Sequence, residues 1–482
     1  MKIKFSNLGS IQETELDLRH LTVIIGLNNS NKTYIAYSTY GLWQRARSSL
    51  SLRRDNKSEL ELKPEEHDRW SLKIDHNLLD FFIIDIEKTA KRFGEDKYFG
   101  VQQFFQDSSR KLFSTTSFEM IISQQEVEDA INQLIHKDAI PLTDEISLKL
   151  TRKEDVLFFE IQPKNEELSK NKTLHFTNRF ITNRFISSVA EVLFSNIFPF
   201  PAERNAFINI YKILETKRYR ILKQKQRESF INSTSEEKFG LPQPLIAIDI
   251  RYPQPVEDFL DFLSEIELQE TTKINSSNKN EFQKLADEIE KQLQNKNKTN
   301  LKSTKLGGKE IKVSVKRGLE IDLYNASSSI KQLAPLLLYL RYRASKGDFL
   351  VIDEPEMNLH PESQAKLLEA LSILVNLGVR ILLTTHSPYI MAHLNNLVNG
   401  NHENPKILKR QSSSLYLQDE RAFLPMDKVS AYEMKDNKLV SLNDPDYGIR
   451  WDTLSDVSVD IQQKFFQIYE AGQEKPDEET EE

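Results

Sequence analysis

The chain has 482 residues, a formal net charge of -7 at pH 7, 39% hydrophobic and 28% charged residues, which describes a globular protein with a sizeable core and excludes one that is basic all over. It holds no cysteine, so disulfides, thiolate zinc sites and a thiol nucleophile are excluded, and a reducing cytoplasm is the simplest location. No signal peptide and no membrane segment are expected, because apolar runs such as Leu333 to Leu340 fall far short of the about 20 residues a bilayer requires.

Residues 1 to 25 alternate as strands do, and Leu21-Thr22-Val23-Ile24-Ile25 is an apolar run suited to a sheet covered on both faces. The run stops at Gly26. Gly26-Leu27-Asn28-Asn29-Ser30-Asn31-Lys32-Thr33 then opens a helix that carries Ala36, Tyr40 and Trp43. Strand, loop and helix in this order form a phosphate cradle of the GxxxxGK kind followed by Ser or Thr, with Gly26, Asn28, Asn29, Ser30, Asn31, Lys32 and Thr33 as candidate nucleotide-binding residues. Asn31 stands where the pattern has glycine. Asparagine enters the left-handed region more readily than other non-glycine residues, so the loop can still close around phosphates.

From about residue 46 to 195 the pattern predicts an antiparallel β lobe with helices. The charged stretch Ser58 to Arg69 reads as helical, and Ile146 to Leu150 with Val156 to Phe158 reads as a hairpin. Phe198-Pro199-Phe200-Pro201-Ala202-Glu203-Arg204 reads as the proline-punctuated entry to a basic amphipathic helix running to about Phe230, with Phe207, Ile210, Leu214 and Ile221 as its apolar stripe. Farther on, Phe282, Leu285, Ile289 and Leu293 fall at heptad-like spacing in a polar stretch. That stretch reads as a solvated helical arm, with an arm that binds a partner or nucleic acid as the alternative. Alternating runs Ile311 to Val315 and Leu319 to Leu323 predict a hairpin. It delivers the chain to Ser327, Ser328 and Ser329, which can cap the helix that follows and that Pro335 either starts or kinks.

Asp348 to Pro388 carries most of the chemistry. Phe349 to Ile352 is an unbroken apolar run ending in Asp353 and Glu354. A helix follows with Leu368, Leu371 and Val375 on one stripe and Gly378 as its stop, and a second strand, Arg380 to Thr385, leads to His386. Two apolar strands bracketing one helix make a parallel crossover, which places Asp353, Glu354 and His386 at the same carboxyl edge of a sheet. Beyond it the pattern predicts a helix at Tyr389 to Leu397, a hairpin at Ala431 to Leu442, and a turn at Asp444-Pro445-Asp446. A C-terminal helix and an acidic tail expected to be disordered fill residues 451–482. A phosphate loop and an Asp-Glu strand end suit a nucleotide bound with Mg2+. Lys32 would contact the β and γ phosphates, the Thr33 hydroxyl would coordinate the metal and Asp353 would hold it through water, Glu354 would act as general base, and His386 would hydrogen-bond the γ phosphate.

Taken together the motifs resemble those of ABC-type, SMC-like and OLD-like AAA ATPases of bacterial anti-phage systems, including the ATPase subunits of PARIS- and Septu-type systems. Gly26 to Thr33 resembles the Walker A motif, Leu350 to Glu356 Walker B, Asn358 to Pro361 the D-loop, and Thr384 to Pro388 the H-loop; Ala326 to Ser329 sits where the family has its signature. Pro201-Ala202-Glu203-Arg204 also resembles a recurrent segment of these ATPases. The resemblance implies an α/β ABC ATPase head, a mixed sheet with a parallel core plus an antiparallel β lobe, and an inserted helical, coiled-coil-like arm. The head would comprise 1–45 and 310–450, the lobe 46–195 and the arm 196–309. It further implies a homodimer or higher homo-oligomer in which Ser327, Ser328 and Ser329 face the partner's nucleotide, with Gln102 or Gln103 as candidates for the Q-loop. The implied role is a sensor or scaffold for a separately encoded effector, a nuclease or toxin. A DNA-clamping SMC-like maintenance ATPase is the alternative, and a transporter ATPase subunit stands behind it.

Overall fold

The computed structural model describes residues 1–51, 60, 62–65, 69–97, 99–109, 111–137, 139–163, 178–214, 216, 252–268, 279–303, 309–315, 318–450, 460 and 462–467. The chain starts with a hairpin of β1 (Lys2–Leu8) and β2 (Ile11–Asp17), turned by Gly9 at a φ of 61°. β3 (Leu21–Gly26) is buried along its whole length and feeds α1 (Lys32–Ser51). Short strands β4 (Lys63–Pro64) and β5 (Arg69–Lys73) stand where the charge pattern predicts a helix. Leu60 and Leu62 are buried, as are Trp70, Ser71 and Leu72, and β5 is held as a strand by antiparallel pairing with β9 along its whole length.

α2 (His76–Glu95) is capped by the Asp75 carboxylate, which accepts from the Leu78 N–H at 3.1 Å. α3 (Val101–Phe104) and β6 (Ser117–Ile121) follow, and Ser123 with Glu126 forms a capping box at the start of α4 (Gln124–Ile135). β7 (Ile140–Pro141), β8 (Ile146–Lys153) and β9 (Val156–Pro163) precede α5 (Asn178–Leu193) and β10 (Ile197–Phe200). Next come helix α6 (204–214), α7 (Gln254–Leu268) and α8 (Glu281–Leu293), then β11 (Lys298–Ser303), β12 (Lys309–Ser314) and β13 (Glu320–Asp322). The last third holds α9 (Ser328–Tyr342), β14 (Phe349–Asp353), α10 (Pro361–Asn376), β15 (Arg380–Thr385), α11 (Pro388–Asn399), α12 (Pro405–Ser412), β16 (Val429–Lys435) and β17 (Lys438–Ser441).

These elements make a mixed α/β fold with parallel and antiparallel sheets. The central sheet has the order β10-β14-β15-β3-β16-β17, parallel except for β17. The lobe sheet, β4-β5-β9-β8-β7, is antiparallel, as are β2-β1-β6 and β11-β12-β13. Alternate residues of the central strands feed two cores. Leu350, Ile352, Ile381 and Leu383 enter one with α9 and α10, while Phe349, Val351 and Leu382 enter the other with α1. Each such side chain stabilises the fold by about 1.5–3 kcal/mol through removal from water. Among the described residues no helix is long and apolar enough to cross a membrane.

Three boundaries differ from the sequence pattern. Phe198 to Phe200 is a strand, not a helix entry, paired in parallel with β14 at the sheet edge, where proline is tolerated. β6 pairs with β1, so the segment assigned to the lobe also completes a sheet of the head. Among the described residues the segment 196–309 holds helices α6 to α8 but also strands β10 and β11, and α7 and α8 pack on the central fold: Phe259 and Phe262 pack with Phe200, and Leu285 and Ile289 join the core shared with α9 and α10. The stripe Leu285, Ile289 is therefore covered by the head itself. A buried ion pair fastens it, with Arg341 Nη1 at 2.7 Å from Glu290 Oε1 and Nη2 at 2.5 Å from Oε2. The basic residues Arg218, Arg220 and Lys223 and the acidic tail Glu474 to Glu482 lie outside the described residues.

Candidate nucleotide site

Because β3, β14 and β15 are parallel, their carboxyl ends share one edge. Asp353 is in register with Thr384, and Thr384 with Ile24. The loop after β3 therefore leaves the sheet beside the Asp353-Glu354 corner. Gly26 is required there, since a Cβ would meet the Met434 Cβ of β16 at 2.8 Å. Asn29 and Asn31 both take left-handed backbone, with φ of 59° and 65°, so asparagine does fill the conformation that the pattern assigns to glycine. The Asn31 side chain donates to Ser10 Oγ, and Ser30 Oγ donates to the Leu27 carbonyl at 2.7 Å. Asn28 is exposed, as is Leu27 beside it at 79%.

The Lys32 ammonium is folded into this loop, donating to the Gly26 and Leu27 carbonyls at 3.0 and 2.9 Å. Burial pulls its pKa below the usual lysine value, opposed by the charges of Glu354, Asp353 and Glu356. Thr33 Oγ1 lies 3.1 Å from Asp353 Oδ2. Neighbouring oxygen ligands of an octahedral Mg2+ stand about 3 Å apart, so this hydroxyl and carboxylate have the separation and the hard-oxygen character of such a pair. Burial raises the Asp353 pKa, while hydrogen bonds from Thr384 and Thr33 pull it down. Among the described residues no cluster of three or more His, Asp or Glu could hold a metal by protein groups alone.

Glu354 and His386 meet directly, with His386 Nε2 at 3.0 Å from Glu354 Oε1. Glu356 props the histidine loop: its Oε1 accepts from Thr385 Oγ1 and from the His386 N–H, both at 2.7 Å. Asn358, in the turn before α10, is left-handed at a φ of 60°, and the His360 ring caps α10 by accepting from the Glu362 N–H. Ser327 is the N-cap of α9, accepting from the Ile330 N–H, and its hydroxyl lies 3.2 Å from that of Ser329. Ser327 and Ser328 are exposed. Among the described residues no hydrogen bond joins these serines, Gln102 or Gln103 to Lys32, Thr33 or Asp353 of the same chain. Asp444 binds the Asp446 and Tyr447 amides at 3.0 and 3.1 Å, the turn that its spacing predicts.

The sequence pattern passes over two residues that the structure brings to this corner. Arg204, 4% exposed, donates from Nη1 to the Asp353 carbonyl at 2.8 Å and from Nη2 to the Glu354 carbonyl at 3.2 Å. Burial lowers its pKa to about 10, so it stays charged at neutral pH, favoured by Asp353, Glu356 and Glu354. Gln332, one turn into α9, reaches the same Glu354 carbonyl at 3.4 Å. The Pro201-Ala202-Glu203-Arg204 segment carries a signal for Arg204 but none for its partners.

A family model described as the AAA ATPase domain matches residues 1–391. No curated protein matches the chain. Solved structures similar to it include an Smc head bound to the C-winged-helix domain of ScpA, at 10% identity and a TM-score of 0.33, with 92% of this chain and 97% of that one covered. The Smc head with an extended coiled coil bound to the C-terminal domain of ScpA, from Pyrococcus furiosus, is similar at 12% identity and a TM-score of 0.33 over 96% and 98% of the two chains. The SMC head domain from Thermotoga maritima is similar at 10% identity and 0.27 over 81% and 90%. With the family model spanning residues 1–391 of 482, the chain belongs to the AAA ATPase domain family.

Proposed function

We propose that this chain binds and hydrolyses ATP with Mg2+ as a head-to-head dimer or larger homo-oligomer, and acts as the sensor or scaffold that controls a separate effector, a nuclease or toxin, in anti-phage defence. The observation that carries the catalytic part is the convergence of Lys32, Thr33, Asp353, Glu354 and His386 at one sheet edge. Lys32 and the loop amides would bind the β and γ phosphates, and Thr33 and Asp353 would hold Mg2+. The ion, when bound, neutralises charge on the β and γ oxygens.

Glu354 would take the proton from the attacking water. As the water oxygen joins the γ phosphorus, the bond to the bridging oxygen breaks and ADP and phosphate result. His386 spans the two functions. Its Nδ1 faces Lys32 Nζ at 3.5 Å, and its Nε2 faces Glu354. A neutral ring protonated on Nε2 satisfies both contacts, since the ammonium then donates to Nδ1 and the ring donates to the carboxylate.

The effector part rests on the resemblance of the motifs and on how the described residues after His386 are used. α11, β16 and β17 build the central sheet and its core, and Asp444 is spent on a turn. ATPase assays of the wild type, with and without proteins encoded beside it, test both parts. Absence of ATP turnover under any condition would overturn the first part. Metal-dependent DNA cleavage by this chain alone, lost on changing Asp444 and Asp446, would overturn the second.

A further inference from the structure

Glu354 takes a left-handed backbone, with a φ of 46°, a conformation that costs a side-chain-bearing residue about 1–2 kcal/mol. Both peptide groups flanking its Cα are held from outside. On the amino side, the Asp353 carbonyl accepts from Arg204 Nη1 at 2.8 Å, and the Glu354 N–H donates to the Thr384 carbonyl at 3.1 Å. On the carboxyl side, the Glu354 carbonyl accepts from Arg204 Nη2 at 3.2 Å and from Gln332 Nε2 at 3.4 Å. Fixing the planes on either side of one Cα fixes φ and ψ there, and with them the direction in which the side chain leaves the backbone.

Arg204 and Gln332 are also tied to each other, because Arg204 Nε donates to the Gln332 carbonyl at 3.2 Å. Among the described residues the guanidinium makes four hydrogen bonds, all to backbone carbonyls, those of Pro201, Gln332, Asp353 and Glu354. A buried cation that spends its donors on peptide carbonyls gains little over an apolar residue as a mere filler, since its desolvation cost is high. What it adds is directional restraint.

We propose that Arg204 and Gln332 are positioning residues that hold the left-handed backbone of Glu354 and so aim its carboxylate at the attacking water. The inference rests on Glu354 being the general base. Gln332 stands on α9 and Arg204 opens α6, so two helices that contribute no group to the phosphate loop set the position of the base.

The test uses Gln332→Met and Arg204→Lys, which nearly conserve volume, measured for ATP affinity, kcat, KM and thermal midpoint beside Glu354→Gln. Misplacement of a reacting group by an ångström costs about 100-fold in rate. Gln332→Met is therefore expected to lower kcat by about 10-fold and Arg204→Lys by about 100-fold, with KM and ATP affinity unchanged. In the Glu354→Gln background, Gln332→Met should cause no further loss, because the two act as a unit. Wild-type kcat in both single variants, with Glu354→Gln silent, overturns the positioning inference alone. So does a fall in activity that tracks only the fraction unfolded, with kcat per folded molecule intact. Wild-type turnover by Glu354→Gln overturns instead the assignment of the base.

Discussion

The imidazole of His386 sits between a cation and a carboxylate, with Nε2 at 3.0 Å from Glu354 Oε1 and Nδ1 at 3.5 Å from Lys32 Nζ. Glu354→Gln is expected to retain ATP, accumulate as a closed dimer on size exclusion, and lose turnover by about 100- to 10,000-fold, the range for a general base. His386→Ala should lose less, because the water and the base remain. Phosphate release measured alongside ATP binding separates the two, and full turnover by Glu354→Gln would sink the assignment.

Asn31 offers a test of backbone geometry apart from chemistry. At a φ of 65° it pays the left-handed penalty that glycine avoids, partly offset by its bond to Ser10. Asn31→Gly should leave ATP affinity close to wild type. Asn31→Val, a β-branched residue for which this conformation is worst, should weaken it by about 1–2 kcal/mol, or roughly 5- to 30-fold. Equal affinities for both variants, read by nucleotide titration, would show that the loop does not need this conformation.

If the serines at the start of α9 complete the partner's site, defects on different chains should complement. Ser327→Arg and Lys32→Ala are each expected to be inactive alone. A mixture has, in its hetero-dimers, one site with an intact Lys32 facing an intact Ser327. The other site is doubly defective. Recovery of up to about one quarter of wild-type activity is expected from a random one-to-one mixture. No recovery, with mixed dimers demonstrated, would remove the trans role.

The ion pair of Arg341 and Glu290 ties α8 to α9 with both partners buried. Arg341→Leu leaves the carboxylate without its cation and should destabilise the protein by about 3–5 kcal/mol. Adding Glu290→Leu should recover most of that loss. Denaturant midpoints of the two single variants and the double variant give the coupling, and additive losses would show that the pair is not one unit.

How much of this is legible in the sequence depends on whether the signal is local. The strand, loop and helix from Leu21 to Trp43 and the crossover from Phe349 to His386 are legible, because a strand buried on both faces is an unbroken apolar run and turn residues mark its ends. Leu285 and Ile289 announce a buried face on α8 but not what buries it, and that cover is the core they share with α9 and α10. Arg204 belongs to no period at all. Its contacts form only where β14, α6 and α9 converge, so the Pro201 to Arg204 segment marks the residue in the sequence without showing what it holds.

The proline-bearing edge strand β10 has a consequence for how copies of this molecule can meet. The Asn196 carbonyl faces β14, where it accepts from the Phe349 N–H at 2.8 Å, so by the alternation of a strand Pro199 and Pro201 fall on the outward side. Neither has an N–H to offer. A further strand laid along this border would find the acceptors opposite the two prolines unanswered, which disfavours strand pairing at the β10 edge of the sheet.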